Sequence, residues 1–137
     1  MLATNKSYSL ATPFGKGTGF DQVWIQRNAS GEISQFMVGE AKGPGAKLAS
    51  PGKGPQMSAE WVFNTVKEML VSSDAHTRWL GEQMLKAIIE SRKTGKVLIQ
   101  GVVIEAATGG GSQDITTEST GKDGYKFSGF TLTLGGS

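Results

Sequence analysis

Apolar and polar residues alternate early in the chain, and this alternation predicts two β-strands. Residues 20–26 place Val23 and Ile25 on one face of the first strand. The turn-forming stretch Asn28-Ala29-Ser30-Gly31 follows, and a second strand is predicted at 34–41. A turn of this kind between two strands predicts a β-hairpin.

Apolar residues at helical spacing predict two helices in the middle of the chain. The first begins after Ser58 and the second after Asp74, because both side chains are suitable N-caps. Lys93-Thr94-Gly95 ends the second helix. The residues expected to face the core are Trp61, Val62, Val66, Met69 and Leu70 in the first helix, and Leu80, Met84, Leu85, Ile88 and Ile89 in the second.

Two further strands are predicted towards the end of the chain. Residues 96–106 are almost continuously apolar, which indicates a central strand buried on both faces. A last strand is predicted at 125–134, where the apolar alternation changes phase between Phe127 and Phe130. A β-bulge at Gly129 would account for that change.

The order strand, strand, helix, helix, strand, strand predicts an α/β (α+β) fold with a mixed sheet flanked by helices. We expect residues 1–18 to form an irregular lead-in and residues 19–137 to form a single domain. The chain has no cysteine, which excludes a disulfide framework and a thiolate zinc site. Its longest apolar run is too short to span a bilayer, and we expect no signal peptide.

The net charge of +2 is a weak indication of a polyanionic partner. Residues 1–53 carry six cations against three anions, so the basic excess lies in this part of the chain. A glycine-rich loop is predicted at 43–55, and its Lys47 and Lys53 are candidates for contact with phosphate.

Two charged residues interrupt the apolar second strand at its end. Glu40 and Lys42 are two residues apart, so a strand places both on one face, at the buried edge of a sheet. Burying two charges is costly unless they pair or bind a metal. Asp21 begins the preceding strand, and a hairpin would bring its carboxylate to Glu40. Carboxylate oxygens suit Mg²⁺ or Mn²⁺, whereas the simpler alternative is a salt-bridged cluster on the sheet edge.

Three short motifs in residues 19–62, "GFDQVW", "VGEAKG" and "QMSAEWV", resemble the PD-(D/E)XK nucleases. The similarity is to the restriction-endonuclease-like toxin domains of bacterial polymorphic and contact-dependent growth inhibition toxins. It implies that Asp21 and Glu40 are metal ligands, that Lys42 is the catalytic lysine and that Gln56 lines the site from the start of a helix. The alternative for Gln56-Met57-Ser58 is a plain helix start, with Ser58 capping and Met57 packing.

The resemblance implies an endonuclease that uses Mg²⁺ or Mn²⁺ to hydrolyse DNA or tRNA, with DNA slightly favoured. It also implies a cognate immunity protein, and delivery of the domain within a larger secreted toxin to the target-cell cytoplasm. The chain departs from the family pattern because it has no acidic residue before Asp21. A housekeeping nuclease of repair or restriction and a non-catalytic nucleic-acid-binding module are the two alternative functions.

Overall fold

A mixed six-stranded sheet and two α-helices form the part of the chain that the computed structural model describes, residues 8–11, 19–42, 57–106, 117–121 and 124–134. The sheet order is β1-β2-β3-β4-β6-β5. This arrangement confirms the predicted α+β class. The elements are β1 (Ser9–Leu10), β2 (Gln22–Arg27), β3 (Ile33–Lys42), α1 (Ala59–Leu70), α2 (Ala75–Thr94), β4 (Ile99–Ala106), β5 (Thr117–Thr120) and β6 (Lys126–Leu134).

The predicted hairpin is formed by β2 and β3, which pair antiparallel. Its turn is held by the Asn28 side chain, whose Oδ1 accepts the backbone N–H groups of Ser30 and Glu32, each at 3.0 Å. Gly31 has a φ of 88°, a left-handed conformation that glycine adopts without steric cost. The expected position of Glu40 and Lys42 at a sheet edge is wrong, because β3 lies between β2 and β4. Both residues lie instead at the carboxyl end of an interior strand.

Strand β1 lies within the predicted irregular lead-in over residues 1–18, of which the structure describes residues 8–11. Ser9 pairs with Ile25 and Leu10 with Trp24, so β1 extends the sheet beyond β2. The segment is too short to show an alternating pattern, and this is why the sequence alone did not predict it.

The predicted central strand is β4, which runs parallel to both β3 and β6. Val103 and Ile99 are buried on the face that packs against the helices, and Val102 is buried on the opposite face. The predicted bulge at Gly129 is wrong, since the pairing of β4 with β6 runs without a shift from Ile99↔Phe127 to Ala106↔Leu134.

The change of phase in β6 instead reflects a change in which face of the strand carries the large apolar residues. Phe127 is buried in the core beneath the helices, whereas Phe130 lies on the other face and is half-buried. Gly101 makes room on β4 for Phe127, because a Cβ atom at Gly101 would lie 2.3 Å from the Phe127 ring. The uninterrupted strand β6 therefore carries a large apolar residue on one face near its start and on the other face farther along.

Both predicted helix starts are confirmed. The Ser58 hydroxyl accepts the Trp61 N–H at 3.1 Å, and the Asp74 carboxylate accepts the Thr77 N–H at 2.9 Å. Gly95 ends α2 with a φ of 76°. The stripe residues that are buried are Trp61, Val62, Val66, Met69, Leu80, Met84 and Ile88.

Ile89 was predicted to face the core, but it is 44% exposed. Successive helical residues are about 100° apart, so the face that buries Ile88 turns Ile89 towards the surface. No helix within the described ranges is long and apolar enough to cross a membrane.

Candidate functional site

Asp21 and Glu40 are linked by two hydrogen bonds at the open end of the β2–β3 hairpin. Glu40 Oε2 accepts the backbone N–H of Asp21 at 2.9 Å. In return, Asp21 Oδ2 accepts the backbone N–H of Ala41 at 3.1 Å. Each carboxylate is therefore held to the opposite arm of the hairpin by a hydrogen bond that its charge strengthens.

The two carboxylates differ in their access to solvent. Glu40 is only 5% exposed, whereas Asp21 is exposed. Glu40 follows Phe36 and Val38 on the face of β3 that packs against the helices, and its neighbour on β4 is the buried Val103. Glu40 thus lies at the edge of the apolar core, and Asp21 lies on the solvent side of the pair.

The segment that carries Asp21 is seated on α1. The Phe20 ring packs edge-on against Trp61, with centroids 5.2 Å apart and planes at 83°. Gly19 has a φ of 94°, and a Cβ atom there would lie 2.5 Å from Thr65 Cγ2. This close approach requires glycine, and it holds the start of β2 in place beside the carboxylate pair.

Lys42 is the last residue of β3, two residues beyond Glu40. The parallel register pairs Lys42 with Glu105 of β4. Sequence reasoning did not select Glu105, because no local pattern reveals which distant strand will lie beside β3. Glu105 becomes a candidate only when the parallel pairing of β3 with β4 is known.

The start of α1 agrees with the simpler interpretation of Met57 and Ser58. Met57 is buried and has a φ of 70°, which is uncommon for a residue with a side chain. Its methyl group reaches β4, where a Cβ atom at Gly101 would lie 2.6 Å from it. Met57 therefore packs and Ser58 caps, as that alternative expected. Gln56 and the loop residues Lys47 and Lys53 lie outside the described residues.

The donor set suits a hard divalent cation. Mg²⁺ is commonly held by one or two carboxylates and keeps several waters, so Asp21 and Glu40 supply the oxygen ligands that it prefers. Within the described ranges, no group of three or more His, Cys, Asp or Glu residues is arranged to hold a metal ion. Asp21 and Glu40 are therefore the two candidate carboxylate ligands at the hairpin end.

Comparisons of the chain with protein-family models, with curated proteins and with solved structures gave no match.

Proposed function

We propose that this chain is a metal-dependent nuclease of the PD-(D/E)XK type that acts as an interbacterial toxin domain. The observation that carries the proposal is the reciprocal hydrogen bonding of Asp21 and Glu40 at the end of the hairpin. The two acids that the sequence motifs select, 19 residues apart along the chain, lie on opposite arms of the hairpin beside the end of the strand that supplies Lys42. An ordinary surface salt bridge does not require this juxtaposition of two carboxylates.

In this proposal Asp21 and Glu40 hold the metal ion and Lys42 acts on the reacting groups. Mg²⁺ or Mn²⁺ held there would supply Lewis-acid chemistry, polarising a phosphoryl oxygen and lowering the pKa of the attacking water. The backbone N–H groups of Asp21 and Ala41 keep the two carboxylates oriented before any ligand arrives. Lys42 orients or deprotonates the attacking water, or stabilises the charge that develops on the phosphate.

The substrate is DNA or tRNA, with DNA slightly favoured. The mild basic excess of the chain is compatible with either polyanion. As a toxin domain, the chain is carried within a larger secreted protein, acts in the target-cell cytoplasm and is neutralised by an immunity protein. An acidic surface on that partner would match the basic part of the chain.

Cleavage assays on the purified chain test the proposal. Plasmid DNA and total tRNA are incubated with Mg²⁺, with Mn²⁺ or with a chelator, and products are resolved on gels. We expect metal-dependent cleavage that Glu40→Ala and Lys42→Ala both abolish. Glu82→Ala and Lys93→Ala are matched controls, because both residues are exposed on α2 and remote in sequence from the motifs. Cleavage that survives both site substitutions would overturn the proposal.

Cleavage assays together with a growth assay separate the two alternative functions. A housekeeping nuclease would cleave in the same metal-dependent way, yet its expression without an immunity protein would leave bacterial growth unaffected. A non-catalytic binding module would bind nucleic acid in a salt-dependent way and cleave it with neither metal. Growth arrest that depends on Glu40 and Lys42 therefore identifies the toxin.

A further inference from the structure

The pairing of β3 with β4 adds a charged residue to the candidate site. Parallel neighbours along these strands are Phe36↔Ile99, Glu40↔Val103 and Lys42↔Glu105. Adjacent strands in a sheet lie about 4.8 Å apart, so residues paired in this way are close neighbours. Glu105 thus occupies the position beside Lys42 on the next strand.

The same positions belong to one face of the sheet. Residues two apart along a strand share a face, and Val38 and Val103 are both buried in the core beneath the helices. Position 42 of β3 and position 105 of β4 continue that face beyond Glu40. This face is therefore apolar along most of β3 and β4 and has charged residues at the carboxyl ends of these two strands.

Strand β6, on the other side of β4, has uncharged residues at the positions that pair with Val103 and Glu105. It pairs Thr131 with Val103 and Thr133 with Glu105. Of the two strands that flank β4, β3 alone places a cation beside Glu105 in the described register. This placement favours Lys42 as the partner of Glu105.

We propose that Glu105 is a positioning residue of this site, acting as the acidic partner of Lys42; the proposal rests on the nuclease function proposed above. A lysine side chain is long and flexible, and it loses conformational entropy when it is fixed. The register places an acidic position on each side of Lys42, Glu40 two residues earlier on its own strand and Glu105 on the next strand. Glu105 thus acts through Lys42, and the carboxylates that hold the metal are Asp21 and Glu40.

A double-mutant cycle tests the pairing without any need for activity. The unfolding equilibrium constants of wild type, Lys42→Met, Glu105→Gln and the double variant are measured in urea. We expect a coupling of about two- to fivefold in the unfolding equilibrium constant, as for oppositely charged neighbours in a sheet. The matched cycle of Lys42→Met with Glu82→Gln should show none. Equal coupling in the two cycles, or none with Glu105, overturns the proposal.

Kinetics then test the role in the reaction. Glu105→Gln is expected to lower kcat about tenfold or more while KM changes less than about twofold, because substrate contacts remain and Lys42 is misplaced. Glu105→Asp should recover a large part of kcat, since it keeps the charge. A Glu105→Gln enzyme with the wild-type kcat would show that Glu105 has no positioning role in the reaction. If the wild type cleaves no nucleic acid, the nuclease proposal fails, and the cycle still decides the pairing.

Discussion

Asp21 and Glu40 have a structural role as well as the chemical role proposed for them. Each accepts a backbone N–H from the opposite arm of the hairpin, so together they close its open end. A substitution that removes a carboxylate therefore also removes a hydrogen-bond acceptor. Experiments on this site must separate the lost ligand from the lost hydrogen bond.

Asp21→Asn makes that separation. The amide oxygen of asparagine still accepts the Ala41 N–H, so the free energy of unfolding should stay within about 0.5 kcal/mol of wild type. The negative charge is lost, and metal-dependent cleavage should fall about a hundredfold. Urea unfolding and initial cleavage rates measure the two effects. Asp21→Ala is the comparison. It loses both the negative charge and the hydrogen-bond acceptor, so it should also destabilise the fold by about 0.5–1 kcal/mol.

Tyr125 gives a second prediction for a single residue, this time for stability against pH. Its side chain is fully buried, its hydroxyl donates to the Ala59 carbonyl at 2.6 Å, and burial raises the pKa of that hydroxyl. The folded pKa lies above the unfolded value of about 10, so Tyr125 contributes stability below pH 10 that is lost as the pH rises further.

Tyr125→Phe should therefore be less stable than wild type by about 1 kcal/mol at pH 8, because the hydrogen bond is lost. Above pH 10 the advantage of wild type should shrink by about 1.4 kcal/mol per pH unit and then reverse. Urea unfolding at pH 8 and pH 11 measures both differences. A wild-type advantage that is the same at the two values would contradict this account of the buried hydroxyl.

At the scale of elements, the two helices pack closely at one glycine. A Cβ atom at Gly81 of α2 would lie 2.8 Å from Met69 Cβ and 3.3 Å from the Leu70 nitrogen of α1. These are backbone-proximal atoms that have little freedom to move. Gly81 thus sets how closely α2 approaches α1, although glycine is a poor helix former.

Gly81→Ala should destabilise the protein by about 1–3 kcal/mol, despite the higher helix propensity of alanine. The overpacking at Met69 outweighs the propensity gain of about 1 kcal/mol. Glu82→Ala, at the next and exposed position, is the control and should change stability by less than about 0.5 kcal/mol. Thermal and urea unfolding measure both variants; a stabilised Gly81→Ala protein would show that the helices separate freely.

The sequence alone predicted the features that depend on neighbouring residues. It did not predict the features that depend on which distant strands pair in the sheet. The Asn28 turn, the Ser58 and Asp74 caps and the Gly95 helix end all depend on neighbouring residues, and all were predicted. The position of Glu105 beside Lys42 depends on a parallel pairing across two intervening helices. A helical or strand pattern carries no information on that pairing.

The same distinction applies to the phase change in β6 and to Ile89. In each case the sequence shows that a residue is apolar but not which surface covers it. A bulge at Gly129 would have kept the large apolar residues of β6 on one face. The sheet instead buries residues on both of its faces, as Met37 and Val102 show on the face opposite the helices.

For the molecule as a whole, the candidate site exists only when the sheet is assembled. Asp21 precedes β2, Glu40 and Lys42 end β3, and Glu105 lies on β4, which the chain reaches only after both helices. The unfolded chain separates these residues, so a metal ion that needs both carboxylates binds the folded state in preference. Binding free energy then adds to the free energy of unfolding.

Mg²⁺ should therefore raise the unfolding temperature of the intact chain. At a free concentration ten times Kd, the added stability is about 1.4 kcal/mol, which corresponds to a shift of a few degrees. Glu40→Gln should lose most of this shift, because one of two carboxylate ligands is removed. Glu82→Gln, at the exposed control position, should keep it, and matched ionic strength removes the general effect of salt. A shift of equal size in the wild type and in Glu40→Gln would place the bound Mg²⁺ elsewhere on the protein.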